Sequence, residues 1–318
     1  MSTTPDRLLE PGLLPTTLWD PAAKVLRLPL MLSDAYRTLI SRHGLHALAT
    51  SRDPRNPPVG GLDKARTDQH FAQAFDGSAA RAQLAVTDPM GQVARASNAF
   101  IQILSGNRIC VTDAPCGAGA TVFAFLATIA ELRAHAVLPR MPLDVVLIGA
   151  EISAPARDYA AQMLSELATK LEEQAVFVSA SILSWDVTDS ISTTDLIKNI
   201  TVASSSCRKL LIVVANFNAF LEKERKKKEA EPQLEELFRH ASGGNNMAIW
   251  IEPAMNRAIG DGGLFSWLGN LIDSAWRRFV SRDSGFETAS VRFELPLKLG
   301  EIGRVGLAVM AIVLRRSE

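Results

Sequence analysis

The dominant pattern is a series of short, almost continuous apolar runs in the last two thirds of the chain, each followed by a stretch of helix length. "RICVTDA", "LDVVLIGAE", "QAVFVSA", "KLLIVVANF" and "NMAIWIEP" are of strand length and rich in Val and Ile. Being apolar on both faces, they predict strands covered on both sides, as in a parallel sheet. Residues 118–136, 154–173, 194–204 and 219–241 fill the gaps as helices. This alternation implies right-handed crossovers, with helices on both faces of one sheet. Two more strands, "SVRFELPL" and "RVGLAVMAIVL", are separated only by "KLGEIG" and predict a closing antiparallel hairpin. The expected fold is α/β: a doubly wound, Rossmann-like, seven-stranded sheet with a C-terminal antiparallel hairpin.

Ahead of residue 108 the pattern is different. Ser33-Asp34 supplies a helix cap before Leu39, Ile40 and His43 at helical spacing, which predicts a helix from Ser33 to about Leu48. "SRDPRNPPVGG" then breaks the chain, and the Ala-rich "FAQAFDGSAARAQLAVTDP" and "GQVARASNAFIQIL" are helix-like. Residues 1–107 are read as a helical N-terminal extension and residues 108–318 as the α/β domain. A further helix is expected to carry Trp267, Leu268, Leu271, Ile272 and Trp276.

Composition removes several classes. Lys+Arg and Asp+Glu are 34 each in 318 residues, so no global field draws the chain to nucleic acid or an anionic surface. Nucleic-acid contact would need a local patch, for which Arg225 to Lys228 in "EKERKKKEAEPQLEELFRH" is the candidate. The interleaved acids there otherwise predict a solvated helix face. Cys110, Cys116 and Cys207 show no paired spacing, which argues against a disulfide framework or structural zinc and fits a reducing, cytoplasmic setting. "MSTTPDRLLEPG" has no leader pattern, and Val305 to Leu314 is too short to span a bilayer, so no membrane association is expected. His43 and His46 lack the further Cys, His or Glu that a metal needs, and no metal is expected.

The candidate chemistry gathers in "VTDAPCGAGATVF", Val111 to Phe123. In a doubly wound sheet ligands lie beyond the carboxyl ends of the strands, and the first strand-helix turn comes closest. Gly117 and Gly119 allow a sharp turn and close backbone approach, and the following helix adds its positive end. No Lys follows as a P-loop requires, and Val122 stands where a dinucleotide fingerprint has its third glycine. Asp113, just ahead of the turn, would repel a diphosphate. Cys116 is read as a packing residue because no base accompanies it in sequence.

Asp113-Ala114-Pro115-Cys116-Gly117-Ala118-Gly119 resembles motif I of the class I S-adenosylmethionine-dependent methyltransferases, an acidic residue followed by G-x-G. The resemblance spans about residues 108–316. It implies that this loop wraps the methionine and ribose parts of the cofactor, and that Glu151, at the end of the second strand, accepts from the ribose hydroxyls. Glu151 lies farther along than the ~20 residues of a plain nucleotide unit, and "HAVLPRMP" accounts for the excess as an inserted loop. In "VFVSASILSWD", Ser181 and Ile182 fall where the family binds adenine. Ser181 replaces the usual aspartate, and Asp186 follows a turn later. Asn216-Phe217-Asn218 ends the fourth strand, where the family faces the transferable methyl, but lacks the prolines of the amino-group signature. Glu252-Pro253 is similar to a late element of some ribosome-associated members.

The resulting expectation is S-adenosylmethionine-dependent methyl transfer to an unidentified acceptor, whether small molecule, RNA or protein. Asp113, Ala114, Pro115, Cys116, Gly117, Gly119, Glu151, Ser181 and Ile182 would hold the cofactor, and Asn216 would stand on the acceptor side. Two alternatives stay open: an inactive methyltransferase-like binding or assembly protein, favoured by Ser181 and the missing prolines, and an NAD-dependent oxidoreductase.

Overall fold

The computed structural model describes residues 7–52, 58, 60–104, 106–243, 246–254, 286–298 and 300–314. The helix expected around Trp267 and Trp276 lies outside them. Five strands form the parallel centre: β3 (Asn107–Asp113), β4 (Leu143–Ala150), β5 (Val176–Leu183), β6 (Lys209–Ala215) and β7 (Asn246–Pro253). β8 (Glu287–Glu294) and β9 (Ile302–Leu314) make the expected antiparallel hairpin, and β9 runs antiparallel to β7.

The sheet has nine strands rather than seven, in the order β1-β2-β8-β9-β7-β6-β3-β4-β5. The additional two, β1 (Trp19–Asp20) and β2 (Val25–Leu26), come from the N-terminal segment. They are too short to show a period in sequence. They exist because the outer edge of β8 offers unpaired backbone groups, which β2 meets in parallel. Lys24, with φ 53°, turns the chain between them.

Eight helices border the central strands. They are α1 (Leu30–Arg42), α2 (His46–Thr50), α3 (Lys64–Thr87), α4 (Ala94–Leu104), α5 (Ala120–Ala134), α6 (Ala154–Glu172), α7 (Ser190–Ser204) and α8 (Asn218–Lys223), and α9 (Lys227–Ala241) makes a ninth among the described residues. Two sequence expectations are corrected. Ser33 is buried inside α1, which starts three residues earlier behind Pro29, and Gly44, at φ 65°, separates α1 from α2. The helix expected over 219–241 is broken at Arg225, whose φ is 55°. No helix among the described residues is long and apolar enough to cross a membrane.

Alternate strand residues serve two cores. Ile109, Val111, Leu211, Val213, Ile249 and Ile251 face one layer with α1 and α3 to α6; Cys110, Leu210, Ile212, Val214, Ala248 and Trp250 face the other with α7 and α9. α5 is buried from Thr121 to Arg133 because α3 lies over its outer face. The N-terminal helices therefore share a hydrophobic cluster with the sheet. An aromatic stack fastens them: Phe71 lies on Tyr159 at 4.3 Å and Tyr36 on Phe75 at 4.8 Å, with the Tyr36 hydroxyl donating to the Ala72 carbonyl at 2.8 Å.

Truncating Phe71, which is 1% exposed and touches rings from α1 and α6, is expected to cost about 3–5 kcal/mol. Urea denaturation of Phe71→Ala, followed by far-ultraviolet dichroism and by tryptophan fluorescence, should show one coincident transition moved to lower urea. Two separated transitions would show that the N-terminal helices melt independently of the sheet.

Candidate functional site

The order of the strands reverses at β3: β4 and β5 follow on one side, β6 and β7 on the other. The crevice beyond the carboxyl ends of β3, β4 and β6 is thus the switch point where a doubly wound sheet takes ligands. The sequence-predicted residues converge there. β3 ends at Asp113, and the turn is then fixed by backbone bonds: the Ala114 amide donates to the Val213 carbonyl, and the Cys116 amide to the Ala150 carbonyl, both at 2.9 Å. Gly117 at φ 53° and Gly119 at φ 79° adopt left-handed conformations. A side chain at Gly119 would collide with the Phe123 ring, whereas a Cβ on Gly117 would meet nothing within 4 Å, so Gly117 borders open space.

Glu151, one residue beyond β4, reaches into this turn. Its Oε2 accepts from the Gly117 amide at 3.1 Å and its Oε1 from the Ser153 amide at 2.8 Å. Burial raises its pKa, partly offset by those amides. Asp113 is stranger: it is fully buried, and neither carboxylate oxygen has a hydrogen-bond partner. Burial pushes it up to about 8; the Val122 amide, outside good hydrogen-bond geometry, offsets part of the rise, and the charge of Glu151 adds to it. An isolated buried carboxylate is costly unless a donor or cation meets it.

The other predicted residues divide. Cys116 is buried against Gly149, and burial first, then Asp113 and Glu151, push its thiol well above the ordinary range, which makes it a packing residue. Ile182 packs at the same Gly149. Ser181 is exposed on the neighbouring face of edge strand β5, and Asp186 is engaged with the Thr188 amide and hydroxyl at 2.9 and 2.7 Å. Trp250 is buried and donates to Glu252 at 2.8 Å. In the basic cluster Lys227 already pairs with Glu222 at 2.8 Å and Lys226 lies over Phe220. His43 and His46 meet Gln162 and Ser41 respectively rather than a common centre.

Asn216 lies beyond β6 in a left-handed conformation, φ 56°. The turn it begins folds over Glu252 at the end of β7: one oxygen of Glu252 accepts from the Phe217 and Asn218 amides at 3.0 and 3.1 Å and from the Trp250 indole. Burial raises Glu252 to about 7 in spite of these donors. The unexpected participant is Arg81 of α3, whose Nε donates to Asn216 Oδ1 at 2.9 Å. Burial lowers Arg81 to about 10, leaving it charged at neutral pH. On the same helix stripe, at seven- and four-residue steps, lie Gly77, Ala74 and His70. Burial, with the charge of Arg81, lowers His70 to about 4, so its imidazole is neutral.

Helix α3 thus crosses the switch point. Near its start the Thr67 hydroxyl meets that of Ser153 beyond β4 at 3.1 Å, and farther along Arg81 meets Asn216 beyond β6. Sequence reading missed Arg81 and His70 because their partners are remote: 135 positions separate Arg81 from Asn216. The available signal was Thr67, His70 and Arg81 on one stripe of an otherwise Ala-rich helix.

The fold and site define a doubly wound α/β protein with a glycine turn flanked by two buried carboxylates. No protein-family model matches the sequence, and no curated protein does. Among solved structures, the chain is similar to "a putative RNA methyltransferase PH1948 from Pyrococcus horikoshii", at 11% identity and a TM-score of 0.37, over 86% of this chain and 97% of that one. It is also similar to cofactor-bound Rv0187 from MTB, at 14% identity and a TM-score of 0.30, over 83% of this chain and 100% of that one. At these scores neither protein's properties transfer to this chain.

The raised carboxyl groups give the ligand-free protein a pH dependence of definite sign. An unfolded chain releases the Asp113 proton near 3.8, whereas the folded chain holds it to about 8. Between those values unfolding releases a proton, so stability falls as pH rises, by about 1.4 kcal/mol per pH unit per group. Glu252 acts in the same sense between 4.5 and about 7. The urea midpoint is expected to fall across this interval, and Asp113→Asn, uncharged throughout, to flatten the decline. An unchanged slope in that variant would show that Asp113 titrates normally.

Proposed function

We propose that this chain binds S-adenosylmethionine across the carboxyl ends of β3 and β4 and transfers its methyl group to an acceptor held near Asn216. The observation that carries the reading is the pair Asp113 and Glu151 at the glycine turn: one carboxylate buried with both oxygens unpartnered, the other 9% exposed. Such a pair suits an ammonium group and ribose hydroxyls, which donate hydrogen bonds, and opposes a diphosphate. This also weighs against a dinucleotide-dependent oxidoreductase.

The residues fit the cofactor's chemistry. Asp113 would take the amino-acid end; Ala114, Pro115 and Cys116 form the turn, and Gly117 and Gly119 let the backbone approach. Glu151 would hold the ribose hydroxyls, with Ile182 and Ser181 toward the adenine. Bound there, the cofactor supplies an electrophilic methyl on a positively charged sulfur. The chain supplies position: Asn216 is held by Arg81 at 2.9 Å, and α3 crosses the strand ends, excluding water and ordering the acceptor. The acceptor class stays open between small molecule, RNA and protein at this level, with the N-terminal helices shaping the choice.

Calorimetry is expected to show binding of S-adenosylmethionine and of its demethylated product, and none of NAD. Glu151→Gln keeps the size of the side chain and removes its charge; it should weaken both by roughly tenfold or more with an unchanged dichroism spectrum. Binding of NAD alone would overturn the reading. Cofactor binding without transfer of labelled methyl to any cell-extract fraction would favour the inactive binding protein.

A further inference from the structure

The turn after β6 and the end of β7 present both hydrogen-bonding senses to the crevice. A guanidinium only donates, so the Asn216 amide atom 2.9 Å from Arg81 Nε is the oxygen, and Nδ2 is left over. Arg81 commits Nη2 to the Ser78 hydroxyl at 3.2 Å, and Nη1 has no hydrogen-bond partner among the described residues. Glu252 gathers the Phe217 and Asn218 amides and the Trp250 indole on Oε1, so Oε2 is left over in the same way. The Asn216 amide donates to the Ile251 carbonyl at 2.9 Å, which holds this turn against the residue preceding Glu252. Arg81 and Glu252 are close enough that each favours the charge of the other.

Burial separates these leftover groups from others in the turn. The Asn218 oxygen is also unpartnered, but it is sealed from solvent; Arg81 Nη1, Asn216 Nδ2 and Glu252 Oε2 are not. There is room beside them, since a Cβ on Gly77, one turn before Arg81, would touch only Arg81 Nη1, at 3.9 Å. The surrounding charges answer one another. Arg81 is faced by Glu252 and Asp76, and Asp76 also pairs with Arg52 at 2.7 Å. With two cations against two carboxylates, this region has no net charge with which to recruit an ion.

We propose that Arg81 Nη1, Asn216 Nδ2 and Glu252 Oε2 form a mixed edge that takes a neutral methyl acceptor through an N–H beside a carbonyl, as in a lactam or cyclic imide. The N–H meets Glu252 Oε2, and the carbonyl oxygen, with two lone pairs, meets the donors of Arg81 and Asn216. A carboxylate would satisfy the donors but be repelled at Glu252, and an ammonium would satisfy Glu252 but leave the donors unmet. A group carrying both senses satisfies all three, and polar groups left unpaired at a site cost binding. This inference rests on the proposed methyl-donor site for its meaning, but its test separates the two.

Ligand-observed NMR titrations with δ-valerolactam and its N-methyl derivative, which lacks the N–H, are made on the protein alone and saturated with S-adenosylhomocysteine. The lactam is expected to bind, and the N-methyl lactam at least ~10-fold more weakly. Glu252→Gln keeps an oxygen for the three N–H donors and turns the free position into a donor. It should weaken the lactam at least ~10-fold while S-adenosylhomocysteine affinity stays within about twofold. Burial holds the Glu252 proton to about 7, so in the native protein lactam binding should weaken as pH falls through that value. The profile should stay level in Glu252→Gln, which retains Asp113 and Asp76, the other raised carboxyls nearby. Arg81 stays charged and His70 neutral across this range. Equal binding of the two lactams, undiminished binding in Glu252→Gln, a level native profile, or no lactam binding at about 10 mM to the saturated protein would each overturn the edge. Glu252-dependent lactam binding to a protein that ignores S-adenosylhomocysteine would retain the edge and overturn the methyl-donor reading.

Discussion

Helix α3 is fastened across the carboxyl ends of the sheet at two points, Thr67 to Ser153 and Arg81 to Asn216, and much of the architecture serves to hold it there. The fourteen positions between Thr67 and Arg81 span about 21 Å of helix, enough to pass over the end of β3 from β4 to β6. Beside that stripe, Phe71, Phe75 and a run of alanines anchor the helix in the hydrophobic cluster it shares with α5 and α1. A helix fixed this way ties two strand ends together without belonging to the strand-helix alternation of the sheet. The N-terminal segment also lends the sheet β1 and β2, so both layers of its contact with the α/β core are built from the same stretch of chain.

Within that enclosure the energetics are set by groups that burial leaves incomplete. Asp113 is the clearest case, a carboxyl that burial holds at about 8, with the Val122 amide offsetting only part of the rise. Glu252 is the contrasting case: three N–H groups converge on one oxygen, and it organises the turn carrying Asn216. The first carboxyl is costly to ionise until something completes it, and one oxygen of the second is consumed by structure. The two differ in how far the structure completes them, though both are buried acids at strand ends.

The strand pattern was largely legible: the five near-continuous apolar runs are the parallel strands, though edge strand β5 is mostly exposed, and the two stretches read as a hairpin are β8 and β9. Position at a strand end likewise singled out Asp113, Glu151 and Asn216, which stand at the carboxyl ends of β3, β4 and β6. The reading failed where the signal is tertiary. β1 and β2 are two residues each and exist only because β8 has a free edge. Ser33, a plausible cap by type, is buried inside α1 because Pro29 starts the helix earlier.

The amino-acid sequence by itself determined the fold class and the glycine turn, since periodicity, apolar runs and left-handed turn residues are local properties that neighbouring positions impose on one another. Only the tertiary structure decided which way the Asn216 amide faces. That depends on Arg81, and a hydrogen bond between residues 135 positions apart leaves no periodic trace in either segment. The same holds for Asp113: its place before the glycines is written in the chain, but its lack of a partner is a property of everything packed around it.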